Sequence, residues 1–207
     1  MEQEDWDSRY ASDELVWKAE PNRFLVTEAT GLSPGRALDV ACGEGRNAVW
    51  LAEQGWHATG VDFSPIALDK ARKLAASRGV GDRVEWHQAD LRTEDWVPTT
   101  RGDGFDLVIV FYLQVAAETR HRVLRACGMA VAPGGTLVVV AHDLDNLTGG
   151  IGGPQDPAVL YRASDVVDDL AGTGLTVERA DQVRRPVETD GRTIDALDLL
   201  VRASRAR

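Results

Sequence analysis

Cysteine and histidine are scarce in this chain of 207 residues, which excludes small domains held together by disulfides or structural metals. The only cysteines are Cys42 and Cys127, and the four histidines are scattered without the spacing of metal ligands. A chain of this length buries about 70% of its unfolded surface, so its core needs no such cross-link. The two cysteines therefore suit a reducing compartment, and no metal site is predicted.

The chain also lacks a membrane-length apolar segment and an excess of basic charge. Its longest uncharged apolar run, residues 107–117, is too short to span a bilayer, and its acidic N-terminus is unlike a secretory signal. A net charge of −10 at pH 7 argues against wrapping a phosphate backbone. We therefore expect a cytoplasmic protein with no nucleic-acid or membrane partner.

Residues 37–52, with the sequence ALDVACGEGRNAVWLA, carry the strongest functional signal. An apolar segment with one acid, Asp39, is followed by a tight turn at Gly43 and Gly45 and then by a helical pattern. Such a turn brings backbone N–H groups against a ligand, because glycine has no Cβ to hold the ligand away. Asp62 ends the next apolar run, 19 residues after Gly43, where a carboxylate can bind ribose hydroxyls. The pattern predicts a nucleotide cofactor.

The glycine pattern alone leaves two nucleotides open, NAD and S-adenosylmethionine. Asp39 lies inside the strand, four residues before Gly43, and favours the second. The methionine half of S-adenosylmethionine carries an ammonium group that attracts a carboxylate, whereas NAD presents a pyrophosphate that a carboxylate repels. The alternative role for Asp39 is to cap the turn by accepting backbone N–H bonds.

The same stretch resembles motif I of the class I S-adenosylmethionine-dependent methyltransferases, and four later segments resemble further motifs of that family in the right order. They are VDFS at 61–64 (ribose), QADL at 88–91 (adenine), FDLV at 105–108 (fourth strand) and APGGTL at 132–137 (turn into the fifth strand). Within the family, CGEGRN at 42–47 and WKAEPN at 17–22 are most similar to the small bacterial branch near the tellurite-resistance and thiopurine methyltransferases.

The resemblance implies a doubly wound, Rossmann-like α/β fold with a mostly parallel seven-stranded sheet and a C-terminal antiparallel hairpin. Strand and helix patterns alternate along residues 36–141, as such a sheet requires. Ser64 and Ser164 are each predicted to cap the start of a helix. The last three strands are expected at 136–141, after a Pro-Gly-Gly turn, and at 175–187 and 193–202.

A single domain spanning residues 1–207 is expected. The resemblance implies that residues 1–30 form an N-terminal arm and helix that close as a lid over the cofactor. The aromatic rings of this arm could also simply anchor it to the sheet. Residues 143–160 hold a long loop rich in glycine and proline after the fifth strand, and we expect it on the substrate side.

The resemblance also implies which residues contact the cofactor. Asp39 and the backbone around Gly43 and Gly45 would hold the methionine half, Asp62 the ribose, and Asp90 the adenine. The full set is Tyr10, Trp17, Asp39, Ala41, Gly43, Gly45, Arg46, Asp62, Phe63, Asp90, Leu91 and Val110. Three alternatives stay open: Phe63 as ordinary core, Asp90 as a helix cap, and Arg46 as a solvated surface residue.

Candidates for the acceptor side are Arg46, Tyr112, His142, Asp143 and Asn146. His142 could take a proton from a hydroxyl or thiol acceptor, and a structural role is its alternative. The predicted function is in-line methyl transfer from S-adenosylmethionine to a small molecule at oxygen, nitrogen, sulfur or another chalcogen, leaving S-adenosylhomocysteine. An NAD(P)-linked oxidoreductase and a non-catalytic S-adenosylmethionine-binding module remain alternatives. A monomer or a homodimer is expected.

Overall fold

A seven-stranded sheet with helices between its strands forms the framework of the protein. The computed structural model describes residues 3–12, 14–16, 19–93, 96–98, 104–189 and 191–207. The strands are β1 (Arg36–Val40), β2 (His57–Asp62), β3 (Val84–Gln88), β4 (Phe105–Phe111), β5 (Val131–His142), β6 (Leu175–Thr189) and β7 (Arg192–Arg205). The α-helices are α1 (Gln3–Tyr10), α2 (Arg23–Ala29), α3 (Arg46–Glu53), α4 (Pro65–Ser77), α5 (Ala117–Ala130), α6 (Asn146–Gly149) and α7 (Ala163–Asp169). No described helix combines the length and the apolar character that crossing a membrane requires.

The strand order of the sheet is β3-β2-β1-β4-β5-β7-β6. β2 pairs in parallel with both β1 and β3, whereas β7 is antiparallel to both β5 and β6. The mostly parallel sheet with an antiparallel C-terminal hairpin confirms the predicted fold class. The order reverses between β1 and β4, and open α/β sheets bind ligands beyond the carboxyl ends of strands at such a point.

The chain forms two compact units, residues 1–109 and 110–207. In the first unit, α4 begins as its sequence predicts. The Ser64 hydroxyl accepts a hydrogen bond from the Ala67 N–H at 3.1 Å, and Pro65 occupies the first turn. Both features suit a helix start, because the hydroxyl satisfies an N–H that has no partner inside the helix and proline needs none. The predicted cap at Ser64 is confirmed.

In the second unit, β5 begins at Val131 rather than at the predicted Thr136. The Pro-Gly-Gly segment therefore lies inside the strand, although such a sequence is typical of turns. The Gly134 N–H donates to the Ala206 carbonyl oxygen at 3.3 Å, just past the end of β7 at Arg205. Pairing with this distant segment holds the glycines in the strand, and the local turn preference is overridden.

The start of α7 also differs from the prediction. The helix begins at Ala163 with Arg162 as its N-cap, so Ser164 lies in the first turn and does not cap it. The Asp165 carboxylate accepts a hydrogen bond from the Arg162 N–H at 2.7 Å. An acid in the first turn satisfies that backbone donor and complements the helix dipole, so the helix starts without a serine cap.

The segment 143–160 is less irregular than its sequence indicates. It contains α6 and a 3₁₀ helix at Pro157–Val159. The Asn146 side chain accepts a hydrogen bond from the Leu197 N–H at 2.7 Å and donates one to the Gly152 carbonyl oxygen at 2.8 Å. Bonds between a side chain and the backbone, rather than an apolar periodicity, therefore order this segment.

Candidate functional site

The turn between β1 and α3 depends on glycine. Ala41, Gly43 and Gly45 have positive φ angles of 57°, 53° and 79°. The Gly43 N–H donates to Asp62 Oδ2 at 2.8 Å, which ties the turn to the end of β2. A Cβ on Gly45 would lie only 2.4 Å from the Trp86 side chain, so a larger residue would clash. The structure thus brings three predicted cofactor residues together in one turn.

Asp39 is buried in β1 and keeps one oxygen unsatisfied. It is 1% exposed, and its Oδ2 has no hydrogen-bond partner among the described residues. Burial raises the pKa of this carboxyl to about 7, although the Ala48 N–H and the Arg46 charge lower it. Burying a carboxylate without a partner is costly, and a cation beside it would favour its charged form. The site therefore suits a ligand that carries an ammonium group.

Asp62 links the glycine turn to the start of α4. Its two oxygens accept hydrogen bonds from the Gly43 N–H at 2.8 Å and the Ser64 N–H at 3.0 Å. Burial raises the pKa of Asp62, and these backbone bonds lower it. A carboxylate oxygen can accept more than one hydrogen bond, so both oxygens can still bind ligand hydroxyls. The neighbouring Phe63 is half-buried at the end of the strand.

Asp90 and Leu91 follow β3 in a short turn. Arg92 Nε lies 3.0 Å from both carboxylate oxygens of Asp90, and this ion pair lowers the pKa of Asp90. The Asp90 side chain also accepts a hydrogen bond from the Arg92 N–H at 2.9 Å. A ligand amino group would have to share this carboxylate with Arg92. Leu91 itself is buried.

Helix α1 packs against the glycine turn. Tyr10 is 4% exposed, and its hydroxyl oxygen lies 3.0 Å from the position that a Cβ on Gly43 would occupy. The Tyr10 ring stacks on Trp6 with centroids 5.6 Å apart. The Ser64 hydroxyl donates a hydrogen bond to the Asp7 carboxylate. The predicted Tyr10 therefore lies at the predicted turn, whereas Trp17 lies outside the described residues.

Glu44, inside the glycine turn, fastens the segment that follows α1. Its side chain is buried, and Oε1 accepts hydrogen bonds from the Val16 N–H and from Lys70 Nζ, both at 3.1 Å. Lys70 also donates to the Glu14 carbonyl oxygen at 2.6 Å. One buried ion pair thus connects the turn, helix α4 and the N-terminal arm.

A second cluster of polar side chains lies in the unit spanning 110–207. Asp198 Oδ2 accepts hydrogen bonds from the Tyr112 hydroxyl at 2.8 Å and from Arg185 Nε at 2.7 Å. His142 Nδ1 lies 3.1 Å from Asp198 Oδ1, and the His142 ring lies 4.9 Å from the Tyr112 ring. The structure therefore brings together the predicted Tyr112 and His142 and adds Arg185 and Asp198 to them.

Asp143 and Asn146 both hold the chain around α6. Asp143 is 2% exposed, and its Oδ1 accepts hydrogen bonds from the Asp145 N–H at 2.9 Å and from Gln182 Nε2 at 3.1 Å. Asn146 bonds backbone groups of β7 and of the loop that follows α6.

Two further predicted site residues lie in regular structure. Val110 is buried within β4, and Arg46 begins α3.

Sequence reasoning did not single out Glu44, Arg185 or Asp198. Asp198 stands in the apolar run ALDLLV, and an acid inside a buried strand is the signal that identified Asp39. The register of β5 with β7 places His142 opposite Asp198. That register is not visible in a single sequence, so the pair could not be inferred from local pattern.

A glycine turn between a parallel strand and a helix, with acids at the ends of β1 and β2, defines a nucleotide-binding α/β protein. Residues 37–135 match the sequence profile described as a methyltransferase domain. Methyltransferase GfsG of Streptomyces halstedii is 30% identical over 148 residues, which are 69% of this chain and 52% of that protein. Glycine N-methyltransferase of Rattus norvegicus is 31% identical over 158 residues, with the same coverage. The chain spans about half the length of these curated relatives.

Solved structures agree with these relatives. One, described as "Conversion of a Disulfide Bond into a Thioacetal Group during Echinomycin Biosynthesis", has a TM-score of 0.74 and is 25% identical in sequence. The matched region covers 99% of this chain and 91% of the chain in that structure. TehB from Haemophilus influenzae has a TM-score of 0.70 at 14% identity, and the match covers 99% of this chain and 67% of the TehB chain. TehB therefore shares the fold of this chain. Residues 37–135 therefore form a methyltransferase domain, and the sheet has the fold of the class I S-adenosylmethionine-dependent methyltransferases.

Proposed function

We propose that the protein transfers a methyl group from S-adenosylmethionine to a small-molecule acceptor. The observation that carries this proposal is Asp39, a buried carboxylate with an open oxygen at the foot of a glycine turn. When bound, S-adenosylmethionine supplies a methyl group already activated on a positively charged sulfur. The protein then has mainly to bind and orient the two reactants.

The residues around the turn fit the parts of this cofactor. Asp39 is placed to pair with an ammonium group, and the backbone of Gly43 and Gly45 allows a close approach. Asp62 keeps acceptor capacity for ribose hydroxyls, and Asp90 is a candidate for the adenine amino group. The other proposed contacts are Tyr10, Trp17, Ala41, Arg46, Phe63, Leu91 and Val110.

The packing of the N-terminal arm supports its proposed role as a lid. Tyr10 contacts Gly43, and Glu44 holds Val16, so the arm covers the turn itself. Such a lid would exclude water from the bound cofactor and release it on opening. We place the acceptor side at the segment 143–160 and at Tyr112 and His142, with His142 as the residue that takes the acceptor's proton.

Binding and activity together test this proposal. Calorimetry should show binding of S-adenosylhomocysteine and none of NADH. Tritiated methyl from S-adenosylmethionine should then appear in small molecules rather than in RNA or protein. Binding of NADH alone would support the oxidoreductase alternative. Binding of S-adenosylhomocysteine without transfer to any acceptor would support the non-catalytic module. We expect a cytoplasmic monomer or homodimer, which light scattering and cell fractionation would examine.

A further inference from the structure

Asp198 is fully buried in β7 and yet stays ionised. Its side chain has no exposed surface. Burial raises the pKa of this carboxyl, but the side chains of His142, Arg185 and Tyr112 outweigh that effect and hold the pKa below its ordinary value. A buried charge is retained only where partners offset the loss of water. The role of the Asp198 carboxylate therefore follows from the side chains that contact it.

Two donors occupy one oxygen of Asp198 and fix its orientation. Tyr112 and Arg185 both donate to Oδ2, and Arg185 Nε also lies 3.1 Å from the Tyr112 hydroxyl. Tyr112 directly follows β4 and holds a strained left-handed backbone with φ of 58°. Strain of this kind persists where surrounding contacts enforce it, often at functional sites. The second oxygen, Oδ1, is left facing His142.

His142 Nδ1 and Asp198 Oδ1 face each other at 3.1 Å. Both atoms are buried, and neither has an in-line hydrogen bond to any described residue. The ring is confined, since Tyr112 packs at 4.9 Å and a Cβ on Gly153 would lie 2.8 Å from it. Asp198 and Tyr112 face the ring, and Arg185 contacts both of those side chains. A carboxylate accepts only, so a hydrogen bond between these two atoms requires hydrogen on Nδ1, and in a neutral ring Nε2 then carries the lone pair.

We propose that Asp198 is a positioning residue that holds His142 in the tautomer with hydrogen on Nδ1, and that the acceptor is a neutral hydroxyl or thiol. This rests on the proposed function, because it assigns the proton that such an acceptor must lose. The O–H or S–H bond breaks as the acceptor atom bonds to the methyl carbon. The electron pair of the cleaved carbon–sulfonium bond stays on the cofactor sulfur, and the proton moves to His142 Nε2. Asp198 stabilises the resulting imidazolium.

The variant Asp198→Asn separates positioning from packing. Tyr112 and Arg185 both need an acceptor, so the amide oxygen should take the place of Oδ2. The amide NH₂ group then faces His142 Nδ1 and forces the hydrogen onto Nε2. The change alters almost no side-chain volume, yet it removes the lone pair of His142 Nε2 that would accept the proton.

Nitrogen-15 NMR of labelled histidines reads the tautomer directly and needs no acceptor. We expect His142 to carry hydrogen on Nδ1 in the native protein and on Nε2 in Asp198→Asn. Hydrogen on Nε2 in the native protein, or an unchanged tautomer in the variant, would overturn the proposal. If Asp198→Asn does not fold, Tyr112→Phe removes one of the two anchoring donors and should broaden or mix the His142 tautomers.

A matched control is the pair of the exposed His121 and the buried Asp169, whose Nδ1 and Oδ1 atoms lie 3.0 Å apart. His121→Gln should leave turnover unchanged. Asp198→Asn should lower kcat about a hundredfold or more, with KM for S-adenosylmethionine and circular dichroism unaltered. An unchanged kcat, or an equal loss in both variants, would contradict the positioning role.

An acceptor panel tests the substrate class. Phenols and thiols should be methylated, whereas iodide and thiocyanate, which have no proton to lose, should not. Methylation of the proton-free anions alone would overturn the acceptor class and leave methyl transfer intact. Transfer to no acceptor, with the native tautomer as expected, would count against the proposed function while upholding the role of Asp198.

Discussion

Asp39 carries a cost in stability that its proposed role explains. Its pKa of about 7 in the folded protein lies above the ordinary 3.8, because burial disfavours the charged form. The unfolded chain therefore releases this proton at a lower pH than the folded chain does. Stability that Asp39 contributes is present below pH 3.8 and is lost as the pH rises through 7. At neutral pH the buried Asp39 carboxylate therefore destabilises the folded protein, so its presence indicates a functional role rather than a stabilising one.

The variant Asp39→Asn should stabilise the ligand-free protein at pH 8 by up to about 4 kcal/mol, since each pKa unit corresponds to about 1.4 kcal/mol. At pH 4 its effect should be much smaller. Urea unfolding at the two pH values measures the difference. Asp69→Asn, which changes an exposed carboxylate paired with Arg72, is the control and should alter stability by less than about 1 kcal/mol. Equal effects of Asp39→Asn at both pH values would contradict this account.

At the residue scale, the sequence predicts side chains that meet through local geometry. Gly43 and Asp62 meet because a glycine turn and the end of the next parallel strand lie at one edge of the sheet. Asp198 meets His142 through the register of two strands far apart in the chain. Such a register depends on packing of the whole sheet, so the cluster around Asp198 appears only in the structure.

At the level of secondary structure, periodicity predicts the buried elements and misplaces several of their ends, two of which the contacts in the structure explain. β1, β2 and α4 lie where apolar patterns and caps indicate. β5 starts early because the Gly134 N–H bonds the Ala206 carbonyl oxygen just past β7, and α7 starts early because Asp165 satisfies the Arg162 N–H. Both differences come from partners outside the local pattern.

Helix α1 belongs to an arm that a buried ion pair at Glu44 helps to attach. Removal of the Glu44 carboxylate in Glu44→Ala takes away the acceptor for the Val16 N–H and the partner of Lys70. Hydrogen bonds to charged groups contribute about 1.5–3 kcal/mol, so the arm should open about tenfold more often or more. Trypsin cleavage after Arg9 follows that open population and should speed up accordingly.

The control for this arm experiment is Glu53→Ala, which removes a looser ion pair with Arg78 at 3.6 Å on the surface of the same unit. Its cleavage rate after Arg9 should equal that of the native protein. A native rate in Glu44→Ala as well would show that the arm is held by its aromatic side chains instead.

At the scale of the whole molecule, ligand binding and protonation are linked through Asp39. In the proposed complex the ammonium group of the cofactor would pair with the ionised carboxylate, and a ligand that binds only the folded protein stabilises it. Below pH 7 the carboxyl takes up a proton, which must be released before that ion pair forms.

Affinity for S-adenosylhomocysteine should therefore fall about tenfold for each pH unit below about 7, because one proton is released on binding. Calorimetry between pH 5.5 and 8 measures this slope, and thermal shifts at saturating ligand should follow it. In Asp39→Asn the affinity should be lower at pH 8 and nearly independent of pH. A native affinity that stays constant over this range would show that Asp39 does not meet the ligand's ammonium group.

The cluster of Tyr112, His142, Arg185 and Asp198 is encoded entirely after residue 109, whereas the glycine turn and its two acids are encoded before it. If the turn binds the methyl donor and the cluster binds the acceptor, as proposed, changes after residue 109 would alter acceptor chemistry and leave most of the donor site in place. Exchange of the residues after 109 for those of a distant relative would then keep the methyl donor and change the methylated product.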